Sequence, residues 1–282
     1  MFKETGENRY KDREEGGDKG RIPRRDGIQE LVVNPHVHVP FDRVGQYLGF
    51  INDKRVNLEL YFPSTVIDSV RSTDLIYFKK TLNYTPALSI HAPFMDLSPG
   101  AVDPKIRAVT IERFLQIFDI AEILEPKSIV FHSGYEKWKY ALDVNLWLEK
   151  SLKTWAVLIR KAVDRNIKIV IENVFEDEPG NLRLLMENIG SDHFGLCFDT
   201  GHCNLFSTVP LDEWMEQLKP YILELHLHDN SRAADDHMAV GDGTFDFNLL
   251  FSSLKGRDMI YTIEGHTPED VTKSMQKLNE YL

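Results

Sequence analysis

Histidines and carboxylates recur at the ends of the apolar runs of this chain. His91 falls in SIHAP, His132 in VFHSG, Glu172 in IVIEN and Asp199 in GLCFDTGH, while His226 and His228 lie in ELHLHDN and Glu264 in YTIEG. Gathered in one place, such groups repel one another or stay poorly solvated unless cations bind them. Imidazole with carboxylate is the donor set of a divalent transition metal, and thiolate is not required. Two closer spacings extend the pattern. Asp199 and His202 are three apart in DTGH, with Gly201 between them to let the backbone bend. Asp235 and His237 place two more ligand-type groups in the glycine-containing loop DDHMAVGDG. Cys197 and Cys203 are the only cysteines, so a disulfide framework and a thiolate zinc cage are both excluded.

The elements that must position these groups are legible as apolar runs. They are Val37–Pro40, Asn57–Phe62, Ala87–His91, Ser128–His132, Ile167–Glu172, Phe194–Asp199, Ile222–His228 and Met259–Glu264. The β-branched richness of Ile129–Phe131 and Ile167–Ile171 suits buried parallel strands. Helical patterns separate the runs. Asp103-Pro104 caps Ile106–Leu124, whose Phe114, Ile117, Ala121 and Leu124 form a stripe. Asp143 precedes Leu146–Val163, Asn181 precedes Leu182–Ile189 up to Gly190, and Thr267-Pro268-Glu269-Asp270 opens the last helix. Eight strand–helix alternations give a closed (β/α)8 barrel or a large doubly wound sheet. No glycine-rich phosphate loop follows any strand, which favours the α/β TIM barrel, as a single domain over residues 29–282. In a parallel barrel every strand's C-terminal end opens on one face, so the His, Asp and Glu residues converge.

Residues 1–28 mix both charge signs with glycine and almost no apolar side chain, and are expected to be a disordered charged tail. The chain of 282 residues has a formal charge of −11, which argues against general affinity for nucleic acid or anionic lipid. No apolar run approaches membrane-spanning length and no signal-peptide pattern is present, so a soluble cytoplasmic protein is expected. Weaker pocket candidates follow from strand periodicity. Asn57, Glu59 and Tyr61 share one face, and an inward Glu59 needs a partner or a polar contact at the mouth. His36 and His38 alternate likewise, with His38 nearer the strand end and a candidate substrate contact. His228 and Asp229 are candidates for orienting ligands, and His228 also for touching substrate. Cys203 reads as a small filler, and Trp138, Trp147, Trp155 and Trp214 as core or loop-edge residues.

The succession HAPF, FHSG, IEN, DTGH, LHLHDN, DHMAVGDG and IEGH, over residues 87–266, resembles the xylose-isomerase-like barrel superfamily. Within it, the pattern is most similar to endonuclease IV, the apurinic/apyrimidinic endonuclease family. Carried over by position, the resemblance implies three metal sites: His91, His132 and Glu172; Glu172, Asp199, His226 and Glu264; and His202, Asp235 and His237. Up to three zinc ions, or zinc with manganese, then suit hydrolysis of a phosphodiester or phosphoester by a metal-activated water. No Gly-x-Ser-x-Gly elbow competes with that chemistry. The resemblance fails at the first strand, HVHVPFDRVG, where endonuclease IV has a glycine-rich His-Val-Ser loop. Phe94 and Met95 match in position the pair that penetrates the DNA stack, yet the acidic balance speaks against duplex DNA. The expected partners are a small phosphoester, a sugar or an abasic nucleic acid, with no membrane. The alternative implied by the superfamily is a sugar or sugar-phosphate isomerase or epimerase, in which Glu172 and Glu264 hold one divalent ion and exchange protons α to a carbonyl. A metal-dependent small-molecule binder is a third, non-enzymatic reading.

Overall fold

Eight short parallel strands close on themselves in sequence order. The computed structural model describes residues 33–282, so the expected tail, residues 1–28, lies outside the described residues. The strands are β1 (His36–Pro40), β2 (Asn57–Tyr61), β3 (Leu88–His91), β4 (Ser128–His132), β5 (Lys168–Glu172), β6 (Phe194–Asp199), β7 (Ile222–Leu227) and β8 (Ile260–Ile263). Closure comes from β1 against β8, where His36 faces Thr262 and Val37 faces Ile263. The barrel expected from the apolar runs is therefore the observed architecture.

Helices connect the strands on the outside: α1 (Val44–Lys54), α2 (Ser64–Ile67), α3 (Ser72–Thr81), α4 (Pro104–Leu124), α5 (Val144–Arg165), α6 (Gly180–Ile189), α7 (Thr200–Phe206), α8 (Leu211–Leu218), α9 (Phe247–Ser253) and α10 (Pro268–Tyr281). Asp103, Asp143 and Thr267 cap their helices as read, each side chain accepting from a first-turn amide. Asn181 does not. It lies inside α6, which starts at Gly180, and its side chain turns to Glu176. Gly190 ends that helix in the left-handed conformation (φ 55°) that glycine adopts without steric cost. No helix among the described residues is long and apolar enough to cross a membrane.

Strand periodicity sorts the side chains into two environments. Outward residues such as Leu58, Leu60, Ile90, Ile129, Phe131, Ile169 and Ile171 join Trp147, Trp155 and Trp214 in the apolar layer between barrel and helices. Trp138 is a different case, exposed on the loop after β4. Cys203 fills part of the apolar layer, and neither cysteine is bonded. Val130, Val170 and Cys197 form a separate small apolar cluster. Around it the inward positions of the barrel are polar. His36 bonds Ser89 at 2.8 Å, and Glu224 accepts from Ser128 at 2.7 Å and Thr262 at 2.8 Å. Burial and the nearby Glu59 charge push the Glu224 carboxyl up to about 8.

Candidate metal centre

The polar strand ends do converge. Glu172, at the end of β5, is buried and central. Its Oε2 lies 3.0 Å from His91 Nε2 and 3.2 Å from His132 Nε2. Its Oε1 lies 3.0 Å from His202 Nδ1. The next group builds on β6, β7 and the residue after β8. His226 Nδ1 faces Glu264 Oε1 at 3.2 Å, Glu172 Oε2 at 3.7 Å and Asp199 Oδ2 at 3.8 Å. On the loop after β7, Asp235 Oδ2 lies 3.4 Å from His202 Nε2 and 3.3 Å from His237 Nε2. His237 Nδ1 is in turn 3.4 Å from Glu264 Oε2. All nine ligand-type residues named from the sequence thus form one contiguous cluster: seven line the cavity, and Asp199 and His226 are fully buried behind them.

His226 carries the test of whether these residues fit an ion. It is fully buried, and its Nδ1 has no hydrogen-bond partner although three carboxylates surround it. Its other nitrogen, Nε2, is held by Glu59 Oε1 at 3.1 Å. An imidazole anchored by a carboxylate behind and bare toward carboxylates in front has the arrangement of a metal-ligating histidine. One nitrogen with three carboxylates suits manganese or zinc.

Carboxylates and histidines of the cluster shift one another: against burial, which lowers them, His202, His226 and His237 are raised by the carboxylates around them. Burial alone would raise the Glu172 and Glu264 carboxyls, but the surrounding histidines hold both well below the usual carboxylate range. For Asp235 likewise, burial opposes and His202 and His237 prevail, lowering it. Burial lowers His38 less than Glu264 and Glu59 raise it, leaving it at about 10. His132 is lowered, chiefly because it is desolvated.

The weaker candidates divide. His38 lines the cavity, with Nδ1 held between Glu59 Oε1 at 2.9 Å and Glu264 Oε1 at 3.2 Å. Glu59 is not a group at the mouth: it is fully buried and absent from the cavity wall, with Ser89, His38 and His226 as partners. The inward carboxylate is satisfied by His38 and Ser89 at the matching register of β1 and β3 and by His226 from β7 across the barrel. His228 is also buried away from the cavity. Its Nε2 bonds both Asp199 oxygens, at 3.0 and 3.1 Å, and its ring stacks on His237 at 4.0 Å. Neither residue lines the cavity; each is bonded to candidate ligand side chains from behind. Phe94 does not protrude as a wedge; it stacks on His132 at 4.2 Å and on Tyr61 at 5.7 Å, while Met95 is exposed at the rim.

Asn173 drew no role from the sequence, although it stands beside Glu172 in the IEN segment. It exchanges hydrogen bonds with the Asp199 backbone and accepts from His202 Nδ1 through its carbonyl. Two other residues act differently from their sequence reading. Asp229 orients no ligand side chain; it accepts from the backbone of Asn230, Gly243, Thr244 and Phe245, which pins the loop carrying Asp235 and His237. Gly201 has no positive φ; it is needed because the His228 ring lies where a β-carbon would stand. The mouth opens into a cavity of about 590 Å³ with aromatic walls that include Tyr61, Phe94, Phe175 and Phe206. Among the described lining residues Arg43 is the one lysine or arginine.

Residues 69–281 match the family model of the xylose isomerase-like TIM barrel. The chain belongs to that family. It is 30% identical over 210 residues to uncharacterized protein MJ1311 of Methanocaldococcus jannaschii, covering 71% of each chain. A solved structure described as a D-tagatose 3-epimerase-like protein superposes with a TM-score of 0.75 at 25% identity, covering 87% of this chain and 96% of that one. The TTHB071 protein from Thermus thermophilus, solved after soaking with ZnCl2, superposes with a TM-score of 0.73 at 23% identity, over 87% of this chain and 98% of that one.

Proposed function

We propose that this chain is a metal-dependent isomerase or epimerase acting on a small polyhydroxy carbonyl compound. The observation that carries the reading is the bare, buried Nδ1 of His226 among Glu172, Asp199 and Glu264. These four residues would hold one divalent ion, which when bound polarises a substrate carbonyl and acidifies the adjacent C–H. Glu172 and Glu264 rise from β5 and from beside β8, so they approach a bound substrate from different sides of the mouth. One carboxylate takes the proton α to the carbonyl, and the other side returns one. His38 serves the Glu264 side: its Nδ1, shared between Glu59 and Glu264, holds a proton within reach of that carboxylate. Aromatic walls suit the apolar faces of a sugar, and a lining with Arg43 as its one lysine or arginine suits an uncharged substrate better than a nucleic acid. The D-tagatose 3-epimerase-like relative supports the same reading.

A second reading, phosphoester hydrolysis, is favoured by one observation. His91 and His132 converge on Glu172, and His202 and His237 on Asp235, which adds two ligand clusters that a one-metal epimerase does not need. Metal analysis of protein purified without chelator separates the two. The epimerase reading expects close to one equivalent, retained in His91→Ala; the hydrolase reading expects close to three. Incubating ketohexoses in D2O should exchange the hydrogen α to the carbonyl, seen by proton NMR. No exchange, together with cleavage of bis(p-nitrophenyl) phosphate that is lost in His132→Ala, would replace the first reading by the second.

A further inference from the structure

On β1, His36 and His38 turn into the barrel while Val37 and Val39 turn out toward the helices. In a (β/α)8 barrel the layer between strands and helices is ordinarily filled by apolar side chains. Here the cavity that starts among His91, Glu172 and Glu264 continues into that layer. Val37, Val39, Tyr47, Phe50, Ile51 and Val271 form the walls of this arm. They come from β1, α1 and α10. The arm lies between β1 and the helices α1 and α10.

An arm walled by aliphatic and aromatic groups offers a ligand little to hydrogen-bond and much apolar surface to cover. It is continuous with the ligand-bearing mouth, so one molecule can occupy both. We infer that the substrate is a carbonyl sugar bearing an apolar substituent, its polar head among the metal ligands and its substituent in the β1–α1–α10 arm. This rests on the isomerase or epimerase reading of the site and adds the class of substrate to it.

Calorimetric titration of the full chain, loaded with manganese, with methyl, butyl, hexyl and octyl β-D-glucopyranosides tests the arm. The expected Kd falls about three- to fourfold per added methylene until the arm is full. Val271→Phe from α10, and independently Phe50→Trp from α1, should end the gain at a shorter chain. A Kd independent of chain length, or a gain unchanged in both variants, overturns the inference. D2O exchange on free ketohexoses keeps the two claims apart. Exchange without chain-length dependence removes the arm alone; chain-length dependence without exchange removes the epimerase reading and with it the carbonyl head, leaving the apolar arm.

Discussion

Replacing Gly201 by alanine isolates the packing beneath the metal ligands, because the residue is not itself a ligand. It sits in the first turn of α7, where alanine ordinarily stabilises a helix by up to about 1 kcal/mol over glycine. A β-carbon there would lie 2.0 Å from His228 Cε1, 2.3 Å from Nδ1 and 2.6 Å from Nε2. The ring cannot yield cheaply: it is fully buried, bonded to both Asp199 oxygens and stacked on His237 with an interplanar angle of 8°. Forced overpacking costs about 1–3 kcal/mol, and loss of a buried hydrogen bond costs a similar amount, so the clash outweighs the helical gain. We expect a net loss of about 2–4 kcal/mol, which in a domain of this size lowers Tm by roughly 5–15 °C. Displacing the partner of Asp199 should also weaken divalent-metal affinity by roughly 10–100-fold. Thermal melts of the apo protein and a competitive chelator titration read the two effects separately. In the double variant with His228→Ala the steric loss should vanish while the affinity loss stays, a coupling that the double-mutant cycle isolates. A Gly201→Ala protein as stable as the wild type, or one whose stability loss persists unchanged without the His228 ring, would refute the reasoning.

Glu59→Gln keeps the shape of the side chain but removes the charge that holds His38 and His226. Metal affinity should fall roughly 10–100-fold while KM measured at saturating metal stays near the wild-type value, since Glu59 does not reach the cavity. Glu224→Gln should change the pH dependence of stability. The folded-state carboxyl is raised to about 8, so its favourable contribution is complete below the unfolded value and is lost as pH rises through the folded one. Between those values the wild type should lose up to about 1.4 kcal/mol per pH unit relative to Glu224→Gln, and parallel stability profiles from pH 5 to 9 would count against it. Asp103→Ala, which removes the acceptor of the Lys105 amide at the start of α4, should cost about 1 kcal/mol in urea unfolding and leave metal affinity unchanged.

The strands were legible because their outward positions are apolar throughout, and β4 and β5 add Val130 and Val170 on the inward face. Observed ends fall within a residue or two of the runs, as with His36–Pro40 against Val37–Pro40. The convergence of the candidate ligands was legible for a related reason. A parallel barrel opens all its C-terminal strand ends on one face, so His91, Glu172, Asp199 and Glu264 had to meet once the topology was granted. Helix starts followed wherever a side chain could cap locally, and failed at Asn181, whose side chain found Glu176 instead.

What the sequence by itself determined is the set of residues that can be brought together and the face on which they stand. Periodicity assigns a side chain to the inside of the barrel, but it does not say which side chain waits on the strand opposite. Only the tertiary structure decided that Glu59 serves His38 and His226, that His228 serves Asp199, and that Gly201 leaves room for that ring. Those pairings depend on register between strands far apart in the chain, and so does the reach of the cavity among β1, α1 and α10.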